Sequence, residues 1–98
     1  MKIDIGMLNR SFQRALLFNI PHGVRLISYE QKNEFEIEML VICERELNKD
    51  EKDYLYSASG EIEGDFIDIK ICNVKFIVNT NIIDNIETMK HIVFAMAE

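Results

Sequence analysis

Residues 46–66, "ELNKDEKDYLYSASGEIEGDF", hold a helix signal between two β-rich runs. Asn48 suits an N-cap, and Glu51 falls at the third helical position, an Asn-led form of the capping box. Asp50, Glu51 and Asp53 suit the positive end of the helix dipole. Leu55, Ala58, Ser59, Ile62 and Phe66 recur at helical spacing as an apolar stripe. The pattern predicts a helix over 49–64. Gly60 and Gly64 each cost such a helix about 1 kcal/mol relative to alanine. They either let the helix approach a sheet closely or are weak points near its end.

Upstream, Val24 to Tyr29 reads as a strand, "EQKNE" as a polar turn and Phe35 to Glu46 as a second strand, together an antiparallel hairpin. Its turn leads into "NEFEIEML" (33–40), where Glu34, Glu36 and Glu38 alternate with Phe35, Ile37 and Met39. In a strand this sets three carboxylates on one face and the apolar residues toward the core. The glutamate phase continues as Leu40 and Ile42, which either extend an interface or meet the core. Leu8, Phe12, Ala15, Leu16 and Asn19 predict an earlier helix over 8–19, begun by Asn9 or Ser11 and stopped by Pro21 and Gly23.

Downstream, residues 66–79 are again β-rich. Ile67, Ile69 and Ile71 share one phase and Val74, Phe76 and Val78 the other, so a bulge or break is expected near Cys72 and Asn73. Residues 80–90 connect to a final strand, 91–97, with Ile92, Phe94 and Met96 on one face. The order αββαββ predicts one domain over 1–98. It is an α+β two-layer sandwich: two helices on a four-stranded, mainly antiparallel sheet. With both helices on one face, the other face is left open.

The chain has 98 residues, nearly half of them hydrophobic, which fits a folded domain with a modest core. No apolar run approaches the roughly 20 residues of a membrane span. The first residues lack a secretion pattern, so the cytoplasm is the expected compartment. Cys43 and Cys72 lie in apolar contexts without metal or redox spacing and are expected to be buried, reduced thiols. Net charge is −6. Residues 30–68 hold thirteen of the seventeen acidic residues and only Lys32, Arg45, Lys49 and Lys52, a local balance of −9. Such a field repels nucleic acid and anionic membranes and attracts a basic partner.

A catalytic set is not visible. There is no phosphate-binding glycine loop and no nucleophile elbow. His22 and His91 are far apart, and nothing in the sequence brings either to Cys43 or Cys72. Carboxylate pairs such as Glu36 with Glu44, or Glu61 with Asp65, read as solvated acids and not as a metal site. No cofactor is expected. The chain therefore reads as a binding module and not an enzyme. Its candidate contact residues are Glu34, Glu36 and Glu38 on the open sheet face, and Asp50, Asp53 and Glu61 on the second helix. Tyr54 and Tyr56 are candidate aromatic anchors.

Three phrases carry a further resemblance. "RALLFNIPHGVRLISYE" (14–30) includes Arg25 and Ser28, residues 46–66 form an acidic-capped helix text ending in Asp65-Phe66, and "HIVFAMAE" (91–98) closes the chain. Over roughly Leu8 to Glu98 the sequence resembles small bacterial immunity proteins, the antidotes of polymorphic toxins, including those of contact-dependent growth inhibition. The resemblance implies a cytoplasmic partner, a cognate toxin domain, often a nuclease with a basic cleft, blocked sterically and electrostatically. The alternatives are a non-catalytic adaptor or homodimeric structural module, and a small enzyme using His22 or His91 with a carboxylate.

Overall fold

A computed structural model describes residues 4–17, 20–66, 68–82 and 85–96. It contains α1 (Ile5–Leu16), β1 (Val24–Gln31), β2 (Glu36–Cys43), α2 (Lys49–Asp65), β3 (Lys70–Val78) and β4 (His91–Ala95). The α+β class with two helices holds. The sheet is mixed, in the order β3-β2-β1-β4. β1 pairs antiparallel with β2 and β4, but β2 and β3 run parallel. The expectation of a mainly antiparallel sheet is corrected at that pair. A strand that returns through a helix to the neighbouring position must run parallel to the first, and α2 is that crossover.

The α2 start is as expected. The Asn48 side chain accepts the Glu51 N–H at 2.8 Å, and the Glu51 carboxylate accepts the Asn48 N–H at 2.9 Å. α1 begins a turn earlier than Asn9 or Ser11 would place it. Asp4 is the cap, its carboxylate accepting the Gly6 N–H at 2.7 Å. The expected end of that helix at Asn19 lies outside the described residues.

Both helices cover one sheet face. Leu8, Phe12, Ala15 and Leu16 of α1 meet Leu55, Ala58 and Ile62 of α2 over Val24, Ile27, Tyr29, Ile37, Met39, Val41 and Cys43. Tyr29 is fully buried, stacked on Phe12 with ring centroids 4.3 Å apart, and its hydroxyl donates to Asn9 Oδ1. Burial pushes its pKa up to about 12. Cys43 is buried as expected, with its thiol pushed up to about 11, mainly by loss of solvent. The Cys72 side chain lies outside the described residues.

The second sheet face is not simply open. The connection from β3 to β4 must cross the whole sheet, because those strands occupy opposite edges. On its way it lays Ile86 and Met89 over Leu26, Leu40 and Ile42. Arg25 donates to the Asn79 carbonyl at 2.5 Å, and the Met89 N–H donates to the buried Ser28 hydroxyl at 3.0 Å. Arg25 and Ser28 thus hold this strap near its two ends. Leu40 and Ile42 belong to a small core under it and not to a free interface.

Strand irregularities sit where the pattern broke. The β2–β3 register shifts between Ile71 and Asn73, as expected from the change of phase. That shift lets both Ile71 and Val74 pack on the helix side. β4 carries a second shift, with Phe94 opposite Ile27 and Ile92 opposite Ser28. The expected single face of Ile92, Phe94 and Met96 is therefore split: Phe94 packs inward and Ile92 is exposed. Ala97 lies outside the described residues.

Candidate functional site

The row of three glutamates is shorter than the alternation implied. β2 begins at Glu36, and Glu34 and Phe35 lie in the bend before it. Phe35, expected in the core, is exposed. Asn33 shapes this bend, its side-chain oxygen accepting the N–H groups of Phe35 and Glu36 at 2.9 and 3.1 Å. An asparagine closing its own turn competes with strand pairing, which is why the strand starts late.

Glu36 and Glu38 do share the face away from the helices, in phase with Leu40 and Ile42. Their electrostatic states differ. Glu36 is exposed and receives one hydrogen bond from the Asn33 amide at 3.0 Å. The Glu38 side chain is only 13% exposed and lies 3.3 Å from Lys75 and 3.4 Å from Lys32. The Lys75 ammonium, with Lys32 beside it, holds its carboxyl below the usual range. The first lysine comes from β3 and the second from the end of the hairpin. Only a parallel β2–β3 register brings Lys75 here, so the sequence reading had no means of pairing the two.

The second group is better preserved. Asp50, Asp53, Tyr54 and Glu61 are all exposed on α2, and Tyr54 is 54% exposed. Asp50, Tyr54 and Glu61 recur on one side of the helix, with Asp53 adjacent. Tyr56 points elsewhere. It meets Phe76 of β3 edge-on at 5.7 Å, with Lys52 Nζ 5.3 Å from the same ring centroid. The eight candidate residues thus form separate groups: Glu36 and Glu38 on one sheet face with Glu34 in the bend before them, the α2 acids and Tyr54 on the outside of the other layer, and Tyr56 at the β3 edge.

α2 is fixed at both ends. At its start, Arg45 grips Glu51 through two hydrogen bonds of 2.6 and 2.9 Å and also donates to the His22 carbonyl at 2.8 Å. That paired geometry, with the Asn48 N–H, lowers the Glu51 pKa to about 2. Gly23 sits against this guanidinium with φ +105°, a conformation that side chains other than glycine rarely adopt. At the other end, Asp65 accepts from Ser11 at 2.5 Å and from Arg14, which ties α2 to α1. Those bonds hold its carboxyl below its ordinary range, Ser11 contributing most. A carboxylate at a helix C-terminus opposes the dipole, and Arg14 offsets that. A shallow cleft runs beside this pair, lined by Met7, Arg10, Ser11, Arg14, Asp65 and Phe66.

Among the described residues no group of three or more His, Cys, Asp or Glu is placed to hold a metal. No described helix is long and apolar enough to cross a membrane. What the surface offers is a rigid, acidic, tyrosine-bearing helix face. Comparison with known families matches residues 6–98 to the family of the MafI2 immunity protein. The chain belongs to that family. No curated protein matches it. The family match spans both helices and all four strands. It therefore takes in the Arg25–Ser28 strap anchors and the Asp65 tie. As a MafI2-family immunity protein, its partner is a cognate toxin.

Proposed function

We propose that this MafI2-family protein neutralises its toxin by direct occlusion, with the outer face of α2 as the docking surface. Asp50, Asp53 and Glu61 steer a basic toxin domain, and Tyr54 supplies the anchor. The observation that carries this reading is the contrast between the two acidic groups. Glu38 is already neutralised by Lys32 and Lys75, whereas the α2 acids are exposed, with no cation among the described residues bonded to them. A field left uncompensated on one rigid face attracts opposite charge and speeds encounter. An exposed tyrosine at its centre can then be desolvated and slow dissociation. The toxin is a nuclease domain of a polymorphic system, since a basic cleft evolved for a phosphate backbone suits an acidic plug. The protein acts in the cytoplasm, by binding and not by catalysis. Glu34 and Glu36 contribute a weaker, peripheral field.

The test uses the toxin domain encoded beside the immunity gene. Stopped-flow association is measured for the wild type and for the Asp50→Lys, Asp53→Lys, Glu61→Lys triple variant. Slower association is expected, about tenfold at low ionic strength and much less at high salt. Equal rates at both salt levels would remove α2 as the docking face. Absence of any toxin binding by the wild type would remove the function itself.

A further inference from the structure

α1 carries two arginines, Arg10 and Arg14, and no acid, in a chain of net charge −6. Both arginines line the cleft at the end of α2, with Met7, Ser11, Asp65 and Phe66. Arg14 gives one guanidinium nitrogen, Nη2, to Asp65, and its side chain is still 68% exposed. Its other guanidinium N–H groups meet no carboxylate among the described residues. Arg10 is exposed, and its guanidinium has no hydrogen bond or ion pair among the described residues. Two guanidinium groups thus face one carboxylate, a local balance of +1. Exposed Met7 and half-buried Phe66 give the cleft apolar walls. It encloses about 280 Å³, below the roughly 300–1,000 Å³ of small-molecule sites. It is sized for a side chain or two and not for a cofactor.

Position and charge say whose side chain fits. Tyr54, Glu61 and Asp65 are spaced seven and four residues apart, so they lie in one row on α2. Asp65 turns that row toward α1 through its bonds to Ser11 and Arg14. The acidic face of α2 therefore runs directly into the cleft. The summed negative field of the chain repels a free anion, and a polyanion such as RNA still more. A carboxylate mounted on a basic domain is carried in by that same field and meets the guanidinium groups only at short range.

We infer, on the reading of a basic toxin as the partner, that the cleft receives an Asp or Glu side chain of the toxin, gripped by Arg10 and Arg14 beside the acidic face of α2. Guanidinium forks match carboxylates in paired geometry. Asp65 holds the Arg14 fork in place before the partner arrives, which lowers the ordering cost of binding. The surface is then bipolar, with acids along α2 and bases on α1. The α2 acids speed encounter with any basic domain, whereas the cleft accepts only one that presents an acid at the matching place. Basic domains without that acid leave Arg10 buried and unpaired, and are rejected.

Arg10→Glu separates the cleft from a general field, because the two predict opposite signs. The variant makes the chain more acidic, so a field acting alone speeds association with a basic toxin and leaves dissociation unchanged. Occupation of the cleft by a carboxylate instead makes the complex dissociate about tenfold faster or more, with the thermal midpoint of the free chain retained. Arg10→Gln is expected to speed dissociation by a smaller factor. The toxin domain encoded beside the immunity gene is the probe, with each of its exposed Asp and Glu residues reversed to Lys in turn. One of these reversals is expected to restore the affinity of Arg10→Glu to near the wild-type value. Dissociation unchanged in both Arg10 variants, or rescue by none of the reversals, overturns the proposal and leaves α2 as the docking face. Faster dissociation of the Arg10 variants beside a silent α2 triple variant removes α2 as the docking face and keeps the cleft. A short single-stranded RNA that binds the wild type and not Arg10→Glu, with toxin binding unaffected, makes nucleic acid the occupant and overturns the proposal.

Discussion

At the scale of single residues, Glu51 shows how one side chain can serve several ends. It closes the capping box on Asn48 and receives both arms of Arg45, which reaches on to the His22 carbonyl. One carboxylate thereby links the turn before β1, the loop after β2 and the start of α2. Its pKa falls from 4.5 to about 2, Arg45 being the main cause. A depressed carboxylate contributes stability that is fully present above its unfolded pKa and is lost as pH falls through the folded value. Thermal stability is accordingly expected to decline between pH 4.5 and about 2. The Glu51→Gln variant is expected to be less stable than the wild type at neutral pH and to converge with it in acid. Thermal denaturation across that pH range checks this, and parallel curves would mean that the Arg45 grip does not survive in solution.

At the scale of elements, α2 is the most legible segment and also holds a residual puzzle. Its cap, first turn and buried stripe follow from local rules, because capping and helical period need only nearby residues. Its glycines could not be read the same way. A side chain built at Gly60 or Gly64 meets nothing within 4 Å, so neither glycine serves close contact with the sheet. Of the two readings the sequence left open, the structure leaves the weak point. Gly60→Ala and Gly64→Ala are each expected to raise stability by up to about 1 kcal/mol, since only helix propensity changes. Chemical denaturation of the two single variants and the double checks this. A loss of stability would show that the glycines serve the backbone in a way the contacts do not reveal. Elements whose ends depend on side-chain turns were less legible. Asn33 delayed β2, and Asp4 advanced α1, because a single polar side chain there outweighed the apolar period.

For the molecule as a whole, sequence reading gave the layers and the class but not the path of the chain. The αββαββ order is compatible with several sheets. What selects the observed one is non-local: α2 returns β3 parallel to β2, and a strap carries the chain across the far face to β4. The same gap explains the mixed outcome at the candidate site. The α2 acids share a face through helical spacing alone, whereas the pairing of Glu38 with Lys75 depends on a register between strands separated by a helix. The strap also yields a test at this scale. Ser28→Ala leaves the Met89 N–H without its acceptor and is expected to cost about 1–3 kcal/mol. Hydrogen exchange at the Met89 amide is expected to quicken in that variant well before the β1–β2 amides respond. Uniform quickening would mean that the strap is not a separate unit.

The strap has a consequence for the order of events at the ribosome. Hairpin, crossover helix and parallel strand are all complete once Val78 has emerged, but β1 still lacks its second neighbour. Tyr29 and Leu26 then wait for His91 and Ala95, which are made later. Until then the newborn protein carries an inner strand with one bare edge, so the interval between synthesis of β3 and emergence of β4 is when it is most open to capture by another nascent chain.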